Sequence, residues 1–138
     1  ADGGATYCTD SGAGSGGGVW ISCTRLHLRG EGSVTARGGD TYKNGASGGN
    51  SGAGGGGRVC ICEHLTEADL EELFLTGATT NPQVTIDDFG GAAAVTNGAA
   101  VISAAGGRAL DGATGGPGGD GTIRRVRGPN PGLMLFVR

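Results

Sequence analysis

Four cysteines and two histidines are the residues of this chain best suited to bind a metal or to form covalent cross-links. They are Cys8, Cys23, Cys60 and Cys62, with His27 and His64. Structural zinc sites need close Cys-x-x-Cys or Cys/His groups, and this arrangement matches no common zinc spacing. We therefore expect disulfides and no metal site, and four cysteines allow three pairings.

The positions of the cysteines favour one pairing. Cys23 and Cys62 each lie five residues beyond the end of a glycine run, so they would be neighbours in stacked copies of a repeat. We expect a Cys23–Cys62 disulfide, which leaves Cys8 and Cys60. Because Cys60 and Cys62 point to the same face of a strand, either could take either partner, and the pairing stays open.

Two pairs of adjacent carboxylates, Asp87-Asp88 and Glu71-Glu72, are the groups that could cleave a glycosidic bond. Neighbouring residues on a strand point to opposite faces, and the second pair falls on the solvent side of a predicted helix. The histidines stand alone, and neither Ser22 nor Ser103 has the context of a nucleophile elbow. We therefore predict no catalytic residues and no enzyme activity.

Glycine-rich loops raise two further possibilities. Residues Gly115–Ile123 come close to the calcium-binding nonapeptide of β-rolls, but Thr122 stands where an apolar residue belongs and no tandem copy follows. Gly-x-Gly-x-x-Gly patterns arise by chance among 33 glycines, and no such loop opens a helix or carries the lysine of a phosphate-binding loop. The prediction is therefore no cofactor, with calcium at residues 115–123 left open.

Composition limits the class of protein. The chain has 138 residues with 33 glycines and 4 prolines, a proportion at which disorder is common. The net charge of −3 is too small to drive expansion, and without a lysine and arginine surplus nucleic acid is not an expected partner. No apolar run approaches 18 residues, so no membrane span is predicted.

Repetition argues for order. Runs that end at Gly18 and Gly57 each precede a β-prone stretch, about 39 residues apart, and such a period indicates stacked repeats. We place copies at about residues 11–39, 51–62 and 98–126, within a single domain over residues 1–138. In the third copy, Gly121–Val126 occupies the slot that residues 58–62 fill in the second.

The copies are separated by an insertion at residues 63–90. Thr66 is a good N-cap with Asp69 three residues later, which predicts a short helix near residues 67–75. Leu70, Leu73 and Phe74 are the side chains expected to face the body of the protein. Farther on, residues 133–137 predict an apolar strand that is buried or paired.

The repeat resembles the glycine-rich repeats of large bacterial surface and secreted proteins of the autotransporter and adhesin types. The resemblance is carried by Gly16–Ile21, Gly32–Gly39, Gly54–Ile61, Val101–Gly107 and Gly118–Ile123. It implies an all-β fold, a right-handed parallel β-helix or solenoid, in a secreted protein. A bundle of polyproline-II helices is set aside, because that packing needs glycine at every third position and residues 45–57 do not keep this period.

The function expected from this resemblance is a non-enzymatic structural or adhesive module of an extracellular or cell-surface protein. Its expected partners are other copies or modules of the same protein, and cell-surface glycans. The alternative is a solenoid that binds carbohydrate or ice, and a polysaccharide-degrading enzyme is less favoured. Trp20, Tyr7 and Tyr42 could stack on sugars, although Trp20 is expected to cover the end of the core. The ice-binding alternative is less favoured, because Thr24, Thr35 and Thr122 are scattered along the chain and do not form regular rows.

Overall fold

The computed structural model describes residues 1–7, 11–42, 51–91, 95–97, 100–111 and 113–129, with the backbone alone at residues 95–97. In chain order the elements are β1 (Gly18–Cys23), β2 (Ser33–Thr35), β3 (Thr41–Tyr42), β4 (Arg58–Glu63), α1 (Glu67–Thr76), β5 (Thr85–Gly90), β6 (Val95–Asn97), β7 (Ala100–Ser103), β8 (Ala109–Leu110) and β9 (Thr122–Arg127). Cys8 and the strand predicted at residues 133–137 lie outside the described residues.

The strands form three small sheets. The largest has the order β1-β4-β9-β5, the second β2-β7-β6 and the third β3-β8. Strands β1, β4 and β9 run parallel, whereas β5 and β6 pair antiparallel with their neighbours. The predicted right-handed parallel solenoid is therefore wrong, because the sheets are small and two of them are mixed.

Six glycine-rich segments connect these strands, and we call them the glycine bundle: residues 1–5, 11–17, 36–40, 51–57, 104–108 and 115–121. Successive segments run antiparallel in pairs, as when Gly54 N donates to Gly39 O at 3.0 Å and Gly118 N donates to Gly107 O at 3.0 Å. A solenoid winds in one sense, but this chain reverses within each pair. That reversal is the physical reason why stacked parallel strands occur here without a β-helix.

Hydrogen bonds in the bundle recur at every third residue. Ala53 N and Gly56 N donate to the carbonyls of Gly116 and Gly119, while Gly54 N and Gly57 N donate to those of Gly39 and Ala36. A strand in a β-ladder alternates with a period of two, whereas a polyproline-II helix has three residues per turn and no internal hydrogen bonds. The segments therefore pack as polyproline-II-type helices, the arrangement that the sequence analysis set aside.

The glycine rule behind that rejection was too strict. A Cβ at Gly54 would overlap the carbonyl of Gly14, and one at Gly56 would overlap that of Ala104. At Gly55 it would lie 3.7 Å from the Gly119 oxygen, an ordinary contact. Glycine is therefore required only at positions where a neighbouring backbone comes close. Because several segments surround each one, these positions do not follow a strict period of three.

Two apolar clusters hold the sheets. One face of the large sheet packs on β2 and β7 through a set of buried residues, namely Ala36, Val59, Ile61, Ile102, Ala104 and Ile123. On the opposite face, Leu73 of α1 packs with Cys62 and Val126. The two faces alternate along each strand, as a pleated backbone requires.

Helix α1 lies where its capping signals predict. The Thr66 hydroxyl accepts a hydrogen bond from Asp69 N at 3.2 Å, and Asp69 Oδ2 accepts one from Thr66 N at 3.1 Å. Gly77 ends the helix with a φ of 72°, a conformation that glycine adopts without strain. Leu73 is buried as expected, but Phe74 is 76% exposed, so its expected inward orientation is wrong.

Candidate functional site

A cleft of about 770 Å³ opens on the face of the large sheet that carries α1. Residues paired across the strands form two rows on the floor of this cleft. The first row is Gly18, Arg58, Thr122 and Gly90, and the second is Trp20, Cys60, Arg124 and Asp88. The helix covers the sheet beyond the second row, and its Leu73 and Gly77 form one wall. We call this space the sheet cleft.

Asp88 and Arg124 form a two-bonded ion pair in the second row. Arg124 Nε donates to Asp88 Oδ1 at 2.6 Å and Nη2 donates to Oδ2 at 3.0 Å, while Nη1 donates to Gly77 O at 2.8 Å. The hydrogen bonds from Arg124 lower the pKa of Asp88 despite partial burial, and they raise the pKa of Arg124. The pair is therefore a fixed, fully charged group that links β5, β9 and the end of α1.

Trp20 forms the aromatic side of the cleft. Its side chain is 47% exposed and meets the ring of Phe74 edge-on, with ring centroids 6.0 Å apart. The expectation that Trp20 covers the end of the core is therefore wrong. Beyond Trp20 lies a smaller groove, which Glu67, Glu71 and Phe74 also line. The indole thus presents apolar surface in a chain with only 1 tryptophan, 2 tyrosines and 3 phenylalanines.

A second exposed aromatic group lies at the end of the glycine bundle. The rings of Tyr7 and Tyr42 stack 4.7 Å apart at an angle of 9°. A backbone bridge between Thr6 and Thr41 holds the two segments together there. These tyrosines were expected to act together with Trp20, but Tyr42 lies on β3, in a different sheet from Trp20.

The large sheet carries Cys23, Cys60 and Cys62 as thiols, and the Cys23–Cys62 disulfide stays a prediction. Cys60 Sγ and Cys62 Sγ lie 3.8 Å apart, and Cys23, Cys60 and Cys62 are unpaired. Burial, with a contribution from Cys60, raises the pKa of Cys62 to about 12, and burial also raises that of Cys60. The register places Cys62 beside Ser22 rather than Cys23, one residue from the expected alignment. Because a thiolate is the reactive form, these thiols are unsuited to nucleophilic chemistry.

Three of the four carboxylates considered as acid or base candidates, Asp87, Asp88 and Glu72, form structural contacts. Asp87 pairs with Arg127, and Asp88 with Arg124. Glu72 Oε2 accepts a hydrogen bond from Thr80 N at 2.9 Å, which fixes the chain after α1. A general acid in glycoside cleavage needs a raised pKa, whereas the pKa values of Asp88 and Glu72 are lowered.

Among the remaining candidates, His64 lies near Ser22, because its N–H donates to Cys23 O at 3.2 Å. His64 follows β4 with a φ of 55°, and Ser103 Oγ accepts a hydrogen bond from Ala105 N at 3.3 Å. In the loop at residues 115–123, where calcium was left open, Asp120 Oδ1 accepts a hydrogen bond from Gly106 N at 2.9 Å, so this carboxylate connects two segments of the glycine bundle. Thr24, Thr35 and Thr122 belong to different elements, and the Thr35 hydroxyl donates to Asp2.

The described residues contain neither a metal-binding cluster nor a membrane-spanning helix. No group of three or more histidine, cysteine or carboxylate side chains lies together there in a way that could hold a metal ion. Within the same residues, no helix has the length and apolar character needed to cross a bilayer.

Sequence reasoning missed Arg58 and the Asp88–Arg124 pair as site residues. The signal was the alternation of residues along β4, β5 and β9, which places these side chains on one face. To use this alternation one must know which residues of distant strands are paired, such as Arg58 with Thr122, 64 residues later. The sequence does not indicate that register.

No family model, curated protein or solved structure is significantly similar to this chain. The resemblance to glycine-rich surface proteins therefore stays a prediction.

Proposed function

We propose that the chain is a non-enzymatic adhesive module of a cell-surface or extracellular protein, and that it binds carbohydrate in the sheet cleft. In this proposal the glycine bundle is the stiff scaffold that holds the sheet. The observation that carries the proposal is the half-exposed indole of Trp20 beside the fixed Asp88–Arg124 pair. A pyranose ring has an apolar C–H face and a rim of hydroxyls, and this floor offers a surface for each.

Trp20 suits the apolar face of a sugar ring, and Asp88 suits its hydroxyls. Tryptophan contributes a large rigid apolar surface at low conformational cost, and it lines a cleft whose volume lies within the range typical of small-molecule sites. Asp88 retains carboxylate lone pairs beyond those that Arg124 occupies, and these can accept hydroxyl hydrogen bonds. Because Arg124, itself bonded to Gly77 O, already fixes the carboxylate, little side-chain entropy is lost on binding.

A glycan array followed by titration calorimetry tests this proposal. Replacing Trp20 by Ala should weaken binding of any glycan recognised by the wild type about fivefold or more, since an aromatic anchor contributes more than about 1 kcal/mol. Leu75→Ala is the matched control, because Leu75 is 72% exposed on α1 and does not line the cleft. Binding of no glycan by the wild type, or binding indifferent to Trp20→Ala, would reject the proposal.

A structural role through contact with other copies is the second candidate. It is favoured by the position of β1, which pairs only with β4 and leaves its outer edge open among the described residues; β5, which pairs only with β9, is the strand at the other edge of the sheet. Open edges are templates for pairing. Light scattering over a concentration series should then detect dimers of the wild type. Ser22→Lys, which places a charge on the edge strand, should abolish them, whereas the control Thr24→Lys should not. A monomer at every concentration would dismiss this candidate.

A further inference from the structure

Arg58, on the floor of the sheet cleft, forms no ion pair with any of the described residues. It begins β4, an inner strand bonded to β1 on one side and to β9 on the other. Its neighbours in the first row are Gly18 and Thr122, whose small side chains leave it uncovered. Among the described residues, no carboxylate forms an ion pair with it, whereas Arg108, Arg124, Arg125 and Arg127 each have one.

The charge of the cleft is therefore positive at one end. Arg124 and Asp88 neutralise each other in the second row, which leaves the charge of Arg58 uncompensated in the first. Glu67 and Glu71 lie on the N-terminal half of α1, in the groove on the other side of Trp20. At the other end of the helix, Gly77, which follows its last residue, lines the cleft. The acidic side chains of Glu67 and Glu71 therefore lie away from Arg58.

We propose that the sheet cleft selects acidic sugars, residues that carry a carboxylate, phosphate or sulfate group, and that Arg58 binds this anionic group. The inference rests on the proposed carbohydrate binding and names the class of glycan. The guanidinium offers a planar fork of donors that matches the oxygens of such a group in a two-bonded pair. Trp20 then stacks on the ring, and Asp88 accepts from its hydroxyls.

Paired ligands test the proposal directly. Oligosaccharides containing uronate, sialate, sugar phosphate or sugar sulfate are each titrated beside a neutral partner of the same ring stereochemistry, with the acid esterified, reduced or removed. At least one acidic member should bind about tenfold or more tightly than its neutral partner, and the four acid types show which anion is preferred. The preference should shrink as salt rises from about 0.05 to about 0.5 M, because a partly exposed ion pair is screened.

Variants assign the preference to Arg58. Arg58→Gln should remove it by weakening the acidic ligand alone, while Arg58→Lys should retain part of it because the charge remains without the fork. Arg25→Gln is the control, since Arg25 is an exposed arginine that does not line the cleft. Thermal unfolding of each variant checks that the fold is retained.

The outcomes separate the two proposals. Trp20-dependent binding of neutral and acidic partners with equal affinity would overturn the acidic selectivity alone, as would a preference that survives Arg58→Gln. Failure of the wild type to bind any sugar in the panel would overturn the carbohydrate function as well.

Discussion

Gly54 lies at the centre of the glycine bundle and contacts neighbours on several sides. Its N–H donates to Gly39 O at 3.0 Å, its carbonyl accepts from Gly107 N at 2.9 Å, and its α-carbon faces the carbonyl of Gly14. No side chain fits between these backbones. Glycine here therefore serves close approach rather than turn formation, since its φ is not in the left-handed region.

Adding one methyl group at this position tests that account. Gly54→Ala should lower the free energy of unfolding by about 3 kcal/mol, because the backbone at Gly14 must move to accept the Cβ. Gly55→Ala, one residue along, should leave stability unchanged within about 0.5 kcal/mol or raise it slightly, since alanine reduces the entropy of the unfolded chain. Chemical denaturation of both variants measures the difference, and equal effects would contradict the close packing at Gly54.

Among the elements, the glycine segments depend on one another more than the strands do. A polyproline-II-type helix has no hydrogen bonds of its own, so each segment is held by its neighbours. Residues 51–57 illustrate this, because they donate to segments on two sides and bury Ser51, Gly54 and Gly57 at a spacing of three. Such a segment is stable only inside the bundle.

Amide hydrogen exchange across residues 52–57 should reveal this period. The amides of Ala53, Gly54, Gly56 and Gly57 are bonded and should be protected, whereas those of Gly52 and Gly55 have no acceptor among the described residues and should exchange faster. The expected pattern is one fast amide in every three, measured by NMR. Alternation with a period of two would indicate a β-ladder and would refute the bundle.

Local signals were enough to predict some elements from sequence but not others. Thr66 and Asp69 form a capping box, which depends on residues three apart, and helix α1 follows from it. The glycine segments give no comparable signal, because glycine is compatible with turns, strands and polyproline-II helices alike. Their conformation is decided by contacts such as Gly54 to Gly107, and those depend on the whole fold.

The same reasoning applies to the sheet cleft. The sequence indicates that Trp20, Arg58 and Arg124 belong to β-prone stretches with alternating faces. It does not indicate that β5 returns antiparallel beside β9 and places Asp88 next to Arg124. The site was missed because it is made by register between distant strands.

Across the whole molecule, ionised carboxylates fasten separate elements together. Glu63 is 3% exposed, and its Oε1 accepts from Leu26 N at 2.8 Å while its Oε2 accepts from Arg125 Nε at 2.7 Å. Burial alone would raise the pKa of Glu63, but these bonds outweigh it and the pKa is lowered. Asp40 and Asp88 also have lowered pKa values because of hydrogen bonds, from Arg108 and Arg124 respectively.

Stability should therefore fall in acid. A carboxyl with a lowered folded-state pKa adds stability above its unfolded value, 4.5 for Glu and 3.8 for Asp, and loses it as pH falls through the folded-state pKa. The melting temperature should be nearly constant between about pH 5 and 8 and drop below about pH 4.5. Glu63→Gln should lower stability at pH 7 by about 2 kcal/mol and flatten the acid limb. Asp87→Asn, which removes an exposed pair, should cost less than about 1 kcal/mol.

The thiols should produce the opposite trend in base. Cys23, Cys60 and Cys62 have folded-state pKa values raised above 9.0, with burial the largest cause. The unfolded chain then loses thiol protons first as pH rises through about 9, so stability falls because the unfolded state binds fewer protons. Thermal unfolding from about pH 8 to 11 in the presence of a reductant measures this slope. Cys62→Ala should make it shallower, and an unchanged slope would show that the buried thiols do not govern the alkaline limb.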